Sequence, residues 1–295
     1  MLKFKEIRNN RILGDIMGDY PMNIQKIFTK NATYQKFEVL LTNRNKRHKY
    51  NEFLVEGVRN INEAIKNNWQ INSFIYPQEK NLSDWATDLL RNVKTKVNYE
   101  LLENLMNELS GKEDTSELIA IVNMRDNAEN EKEMSENPII ALFDRPSNKG
   151  NLGTLIRSCD AFGVDKLIIT GHCVDIYEPD VISASMGSFF KLPFIRLSDN
   201  IEIDKYITEL KLKYPLLKIV GTTAHKKTSI YEVDMTTPVL FLIGNETDGL
   251  NQHYCEISDV MATIPMSEQS SASSFNVSCA ATVMFYEAIR QRNPS

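Results

Sequence analysis

Four continuous apolar runs in the second half of the chain constrain the fold more than any other feature. They lie at residues 139–143, 166–170, 217–222 and 239–243. Segments with a helical pattern separate them, near 152–162, 179–187 and 201–213, and a last helix is predicted at 275–291. A strand that is apolar at every position is typical of a parallel sheet buried on both faces. The alternation therefore predicts a doubly wound α/β domain.

A smaller α/β domain is predicted ahead of this region. A helix pattern with one apolar face spans 58–68, and strand patterns at 52–57 and 117–124 flank it. A polar, mostly acidic segment without apolar periodicity then indicates a linker. The predicted organisation is an extension of unknown role at 1–30, a first domain at 31–125, a linker at 126–137 and a second domain at 138–295.

Composition excludes several classes of protein. No apolar run approaches the ~18 residues that a membrane span needs, and the charged start has no apolar stretch of a signal peptide. The four cysteines have no CxxC spacing, and the four histidines form no metal-binding motif. The sequence therefore predicts a cytoplasmic protein that binds no metal and enters no membrane.

The distribution of charge is uneven. Residues 1–50 have eleven Lys and Arg against four Asp and Glu, although the whole chain has a net charge of −5. Four of these cations fall within residues 43–50, namely Arg44, Lys46, Arg47 and Lys49. Clustered cations suit a phosphate backbone, so this segment is a candidate RNA-binding surface. On charge alone, a solvated helix end is an equally good interpretation.

Ligands of doubly wound sheets bind beyond the carboxyl ends of the strands, which points to four loops. They span 144–153, 221–225, 244–250 and 264–275. The first loop has neither the glycine fingerprint of a dinucleotide site nor a P-loop. Asn151 is a candidate helix cap, and Arg157 is placed to reach a phosphate or carboxylate at the mouth. A capped helix with a surface arginine fits these residues as well.

The other loops are individually less specific. Glu246 lies between two glycines, where a carboxylate is more often a partner for a helix N-terminus than a catalyst. In the fourth loop, Ser274 and Asn276 precede an apolar helix whose N-terminus can bind polar groups.

Taken in order, the loops carry three motifs of a known family. The first, Asn-x-Gly-x-x-x-Arg, comprises Asn151, Gly153 and Arg157. The second, Gly-x-Glu-x-x-Gly-Leu, comprises Gly244, Glu246, Gly249 and Leu250. The third comprises Ile264, Pro265 and Met266, then Ser274, Asn276, Val277 and Ser278. With this order the second domain resembles the SpoU (TrmH) family of RNA methyltransferases, and residues 35–125 resemble the ribosomal-protein-like substrate-binding domain often fused ahead of it.

The resemblance implies an activity and an assembly. It implies S-adenosylmethionine as methyl donor, a ribose 2′-hydroxyl of RNA as acceptor, and ribosomal RNA in preference to tRNA. It also implies a trefoil knot in the C-terminal domain and a homodimer formed through that domain, with an active site that draws on both subunits. Pattern alone predicts none of this topology, because chains rarely knot.

The resemblance also implies roles for individual residues. Arg157 clamps the phosphate beside the target ribose, and Glu246 holds the arginine or its loop. The hydroxyl and Arg157 are oriented by Asn151, Ser274 and Asn276. The cofactor is contacted at Thr222, Gly244, Ile264, Met266 and Phe275. Phe275 stands where the family usually has leucine, and the loop before Ser274 is about two residues longer than usual. Alternatives are methylation of a base, a tRNA substrate, an RNA-binding protein without catalysis, and a nucleotide-dependent oxidoreductase.

Overall fold

The computed structural model describes residues 23–78, 80–110, 116–130, 132–225 and 227–293. Residues 1–22, most of the predicted extension, lie outside the described residues. The strands of the first domain are β1 (Ile24–Ile27), β2 (Glu52–Glu56), β3 (Ile71–Pro77), β4 (Asn98–Leu101) and β5 (Ile119–Asn123). Its helices are α1 (Ala32–Thr42), α2 (Arg44–Tyr50), α3 (Val58–Lys66), α4 (Asp84–Asn92) and α5 (Glu103–Ser110).

The first domain is a mixed five-stranded sheet with the strand order β1-β4-β3-β5-β2. Strand β5 runs antiparallel to its neighbours β3 and β2, whereas β4 pairs in parallel with β3 and β1. Residues 24–27, assigned to the extension from sequence, thus form an edge strand of this sheet. The predicted strand at 52–57 and helix at 58–68 are confirmed with slightly shorter bounds.

The second domain is a seven-stranded sheet in which every pairing is parallel. Its strands are β6 (Ile139–Asp144), β7 (Lys166–Thr170), β8 (Phe194–Leu197), β9 (Lys218–Thr222), β10 (Thr228–Ser229), β11 (Val239–Ile243) and β12 (Val260–Thr263). Its α-helices are α6 (Lys149–Ala161), α7 (Pro179–Ser185), α8 (Asn200–Lys213), α9 (Gln252–Ile257) and α10 (Val277–Arg292). The order β10-β12-β9-β11-β6-β7-β8 places β11 and β6 at the centre. The parallel sheet predicted from the apolar runs is confirmed, since β6, β7 and β11 are buried at every residue.

Aromatic side chains join the two domains. The Phe53 ring of the first domain lies 5.0 Å from the Tyr177 ring and 5.9 Å from the Phe189 ring of the second. The Trp69 indole N–H donates to the Phe190 carbonyl oxygen at 2.9 Å. A buried indole needs such an acceptor, so this hydrogen bond fixes the contact as well as satisfying the donor. The shared apolar core holds the first domain against the second.

Two local features determine how α6 begins and how it packs. Asn148 is the N-cap, because its side chain accepts a hydrogen bond from the Asn151 backbone N–H. Gly153 faces α7 so closely that a Cβ there would lie 2.5 Å from the Ala184 Cβ. The glycine of the first motif is therefore explained by helix packing.

No helix in the described part of the chain is both long and apolar enough to cross a membrane.

Candidate active site

Loops from four strands meet at the carboxyl edge of the second sheet and enclose a cavity of about 600 Å³. They follow β6, β9, β11 and β12, the strands whose loops were singled out from sequence. The predicted site residues that line this cavity are Asn151, Thr222, Gly244, Glu246, Ile264, Met266, Ser274, Phe275 and Asn276. Motif segments far apart in the chain thus form one site.

Glu246 joins the loop after β11 to the start of α6. Its carboxylate accepts hydrogen bonds from the Ser147 backbone N–H at 3.0 Å, the Ser147 hydroxyl at 2.8 Å and the Asn148 backbone N–H at 3.1 Å. Burial acts to raise the pKa of Glu246, but these hydrogen bonds outweigh burial and hold the pKa below its ordinary value. The carboxylate is therefore a fixed anion at a helix N-terminus and is poorly suited to take up a proton.

Two asparagine side chains continue this arrangement across the cavity. The Asn151 amide donates to Glu246 at 3.4 Å, and its side-chain oxygen accepts from the Asn276 amide at 3.0 Å. Asn276 is also the N-cap of α10, because its oxygen accepts from the backbone N–H groups of Ser278 and Cys279. We call the three linked side chains the amide relay; they are Glu246, Asn151 and Asn276.

The relay corrects one expectation about Asn151. The sequence indicated Asn151 as the cap of α6, but the helix begins earlier and Asn148 caps it. Asn151 lies inside the first turn, where its side chain is free to bond across the cavity. Its carbonyl oxygen also accepts from the Ser278 hydroxyl at 2.7 Å, which fastens α6 to α10.

The closure of its own loop requires a glycine at position 244. A Cβ at this position would collide with the backbone of Gly249 and Leu250, the residues at the other end of the same loop. Asn245 and Gly249 exchange backbone hydrogen bonds at 2.9 and 3.0 Å within this turn. A side chain at Gly244 would displace the turn that carries Glu246, whether or not a ligand approaches Gly244.

Arg157 is not part of the cavity. It is exposed, it does not line the cavity that Asn151 lines, and its guanidinium donates no hydrogen bond to any of the described residues. The sequence-based expectation that it reaches back to the mouth is not met within one chain. The next residue along α6, Ser158, links this helix to α10 through its hydroxyl, which lies 2.7 Å from the Thr282 hydroxyl.

The cations of α2 have different environments. Lys49 is exposed, and Arg44 and Lys46 are half-buried. Arg47 is fully buried, and its guanidinium donates to Asp175 at 2.8 Å and to Glu178 at 2.5 Å in the second domain. Its assignment to RNA binding is therefore wrong for this structure, because a side chain enclosed by two carboxylates has no surface to offer a phosphate.

Sequence reasoning missed Arg145, at the end of β6. Its φ of +46° lies in the left-handed region, which is unusual for a residue other than glycine. The guanidinium donates two hydrogen bonds of 2.9 Å to the buried Asp144, which raises the Arg145 pKa. The Arg145 carbonyl oxygen accepts from the Asn245 amide at 2.7 Å, which places this residue at the cavity rim. A backbone strain of this kind leaves no readable signal in one sequence.

Comparison with known proteins agrees with this geometry. Residues 138–286 match the model of the SpoU rRNA methylase family, and residues 31–120 match the SpoU L30e-like domain. The chain belongs to the SpoU family.

No group of three or more His, Cys, Asp or Glu side chains that could hold a metal ion occurs among the residues that the structure describes.

Relatives of this SpoU chain extend over nearly its whole length. A 23S rRNA (uridine(2479)-2′-O)-methyltransferase of Streptomyces viridochromogenes is 38% identical over 93% of this chain and 95% of its own. The 23S rRNA (guanosine(2553)-2′-O)-methyltransferase RlmP of Bacillus subtilis is 26% identical over 87% of this chain and 96% of its own. The crystal structure of the SpoU methyltransferase AviRb from S. viridochromogenes with the cofactor AdoMet is 38% identical, with a TM-score of 0.81 over 89% of this chain and 99% of that chain. The mixed α/β fold is that of SpoU methyltransferases.

Proposed function

We propose that this chain transfers a methyl group from S-adenosylmethionine to a ribose 2′-hydroxyl of ribosomal RNA. The observation that carries the proposal is the amide relay, which joins the three motif segments around one cavity at the sheet edge. The relatives named as 23S rRNA 2′-O-methyltransferases support the substrate class. A tRNA substrate has no comparable support. We also propose that the protein acts in the cytoplasm.

The cavity fits the cofactor by size and by chemistry. Its volume of about 600 Å³ lies within the range of ~300–1,000 Å³ that small-molecule sites occupy. Ile264, Met266 and Phe275 supply apolar walls for an adenine, and Thr222 and Gly244 lie on the opposite loops. These five residues would hold S-adenosylmethionine, which supplies a methyl group on a positively charged sulfur.

The amide relay would orient the acceptor. An asparagine amide has two hydrogens, and Asn151 and Asn276 each use one within the relay. The remaining donors can hold the ribose hydroxyl in line for attack, a task for which alignment is the main requirement. Ser274 lines the same cavity and offers a further hydroxyl partner. Glu246 acts through Asn151 and the start of α6, as a positioning residue.

Arg157 enters the proposal through a second copy of the chain. Helix α10, which packs on the Arg157 helix α6, exposes Val283 by 39% and Tyr286 by 55%, beside the half-buried Phe162 at the end of α6. An apolar helical face of this kind suits a partner subunit. In a homodimer formed through this face, Arg157 would lie in an interface and could complete a site built from both subunits, where its guanidinium would clamp the phosphate beside the ribose.

The trefoil knot also stays a proposal. Segment 264–276 returns from β12, near one edge of the sheet, to the start of α10 beside the central loops, and it lines the same cavity as the loop after β11. Such a return over a neighbouring loop is compatible with a threaded chain. The similarity in fold to AviRb is compatible with it too.

The test is methyl transfer to a defined RNA. Purified protein is incubated with S-adenosylmethionine, labelled in the methyl group, and with 23S rRNA transcribed in vitro. We expect label in RNA and its recovery in dinucleotides that resist alkaline hydrolysis, because a 2′-O-methyl group blocks cleavage of the next phosphodiester. Label in mononucleotides would assign the reaction to a base. Cofactor binding without transfer to any RNA would indicate a binding protein.

A further inference from the structure

Three arginines from separate parts of the chain surround the loop that follows β7. Arg196, at the end of β8, donates to the Gly171 carbonyl oxygen at 3.2 Å. Arg44, at the start of α2, donates to the Cys173 carbonyl oxygen at 2.9 Å. The aliphatic part of Arg145 packs so closely on Gly171 that a Cβ there would lie 2.8 Å from the Arg145 Cγ. The loop is thus contacted by two guanidinium groups and by the aliphatic part of a third arginine.

Each guanidinium keeps donors that these contacts do not use. A guanidinium has five N–H donors, and the Arg44 and Arg196 side chains each donate once in the contacts above. Arg145 donates to Asp144 through Nε and Nη2, which leaves Nη1. Arg196 is exposed, Arg44 is half-buried, and the Arg145 side chain is 36% exposed. The three side chains are held in place by protein acceptors and remain open to a ligand.

The arginines connect the two functional regions of the molecule. Arg145 lies at the rim of the cavity, since its carbonyl oxygen is bound by Asn245 of the Glu246 loop. Arg44 and Arg196 line a groove of about 410 Å³ between the domains, together with Cys173. A path along the carboxyl edge of the sheet therefore runs from the cavity, past Arg145 and Arg196, to Arg44 and helix α2.

The acidic groups near this path differ in their burial and in their partners. Asp175 lines the groove but is buried and paired with Arg47. Asp126 and Glu129 also line the groove, and each accepts a hydrogen bond from the backbone N–H of the other. Asp144 is buried beneath Arg145. Asp126, Glu129 and Asp248, which lies near Arg145, remain exposed anions beside the three arginines.

We propose that Arg145, Arg196 and Arg44 bind consecutive stretches of RNA backbone and lead the strand from the methyl-transfer cavity to the first domain. This proposal rests on the proposed function, since it assigns the path of the same substrate. A planar fork of donors binds phosphate oxygens with good geometry, and prior fixation of the side chains reduces the entropy lost on binding. Phosphate contacts position an RNA without reading its sequence.

The experiment compares two double variants. Arg44→Ala/Arg196→Ala removes two arginines of the path. Lys211→Ala/Lys213→Ala removes two cations from the C-terminal end of α8, which lies at the opposite edge of the parallel sheet. Affinity for the 23S rRNA transcript is measured by filter binding between about 50 and 200 mM salt. Calorimetry with S-adenosylmethionine reports whether the cavity is intact.

We expect the arginine variant alone to change. The slope of log affinity against log salt should become shallower by about 1.4–1.8, because each lost phosphate contact removes about 0.7–0.9. Cofactor affinity should stay at the wild-type value in both variants. Arg196→Ala, which alters one exposed side chain, should give half of the change in slope and keeps the test valid if the double variant does not fold.

The outcomes separate the two proposals. If the arginine and lysine variants give the same slope while the wild-type protein methylates RNA, the path is refuted and the proposed function stands. If the wild-type protein neither binds nor methylates RNA, the proposed function is refuted. Arg44→Lys/Arg196→Lys, which preserves both charges, should restore most of the slope.

Discussion

The amide relay and the basic helix α2 are both dense in polar side chains, but their partners differ in kind. In the relay, Glu246, Asn151 and Asn276 bond to one another and to helix N-termini at the edge of one cavity. In α2, neighbouring cations have unrelated environments: Arg47 is enclosed by carboxylates of the other domain, whereas Lys49 is exposed. The motif residues are brought together in one hydrogen-bonded arrangement, whereas neighbouring charges in a sequence cluster need not share an environment.

The largest expected effect is on stability, at Arg47. Arg47→Met removes the guanidinium from the buried Asp175 and from the half-buried Glu178, which keeps its ion pair with Lys149. Breaking a buried pair in this way costs about 3–5 kcal/mol. Lys49→Met, the same substitution two residues further on, should change the free energy of unfolding by less than about 0.5 kcal/mol. Denaturant unfolding of both variants measures the difference. Equal free energies of unfolding for the two variants would contradict the burial of Arg47, and Arg47 and Lys49 would then have similar environments.

Arg157 should affect catalysis and leave stability unchanged. Because the side chain is exposed, Arg157→Ala should alter the free energy of unfolding by less than about 0.5 kcal/mol. If it clamps the substrate in a dimer, kcat should fall by at least ~10²-fold while cofactor affinity persists. Arg157→Lys keeps the charge and should lose most of the turnover, since it lacks the planar fork. Near-normal methylation by a folded, dimeric Arg157→Ala would contradict this role.

Glu246 should give a pH-dependent contribution to stability. Its folded-state pKa lies below the ordinary value of 4.5, so the carboxylate stabilises the protein above that value and the contribution is lost as the pH falls through the folded-state pKa. Glu246→Gln should therefore cost about 1–3 kcal/mol near neutral pH, the scale of hydrogen bonds to a charged group. The difference from wild type should shrink as the pH falls below 4.5 and through the lower folded-state pKa.

The control for this profile is Glu232→Gln. Glu232 also accepts a backbone N–H at a helix start, from Ser229, but neither residue lines the cavity. The Glu232 side chain has no other hydrogen bond among those found in the described residues. Its substitution should cost less. A pH-independent effect of Glu246→Gln would show that the carboxylate charge is not what holds the loop.

Lys49 is expected to give the smallest effect. If the exposed part of α2 contacts RNA, Lys49→Met should make the salt slope of RNA binding shallower by about 0.7–0.9 and leave stability unchanged. Filter binding of the 23S rRNA transcript measures the slope. A slope equal to that of wild type would make Lys49 a solvated charge and would remove it from the RNA surface.

Much of the second domain could be predicted because local pattern determines it. The strands at 166–170 and 239–243 have the predicted bounds, since a strand buried on both faces is apolar throughout. Strand β12 was not predicted. It lies near the edge of the sheet and is only partly buried, and its apolar run of three residues is too short to indicate a strand. Strand β4 was missed in the same way, because two of its four residues are only half-buried.

The site shows the same division between local and distant information. The motifs indicated the relay residues, but the bond between Asn151 and Asn276 spans 125 positions and follows from the fold. The carboxylates that bury Arg47 lie 128 and 131 positions further along the chain, so its cluster of neighbouring cations concealed its environment. Arg145 was missed because its exposed position depends on a left-handed backbone and a buried partner.

The measurement that tests the central claim most directly is the single-turnover rate of methyl transfer to 23S rRNA by two matched variants. Asn151→Asp replaces an amide of the relay by a carboxylate, which cannot donate to Glu246 and repels it. Asn148→Asp makes the same change three residues earlier, at an N-cap where aspartate serves as well as asparagine. We predict that Asn151→Asp loses at least ~10²-fold and that Asn148→Asp stays near the wild-type rate. Equal rates for the two variants would contradict the assignment of the relay to the methyl-transfer site.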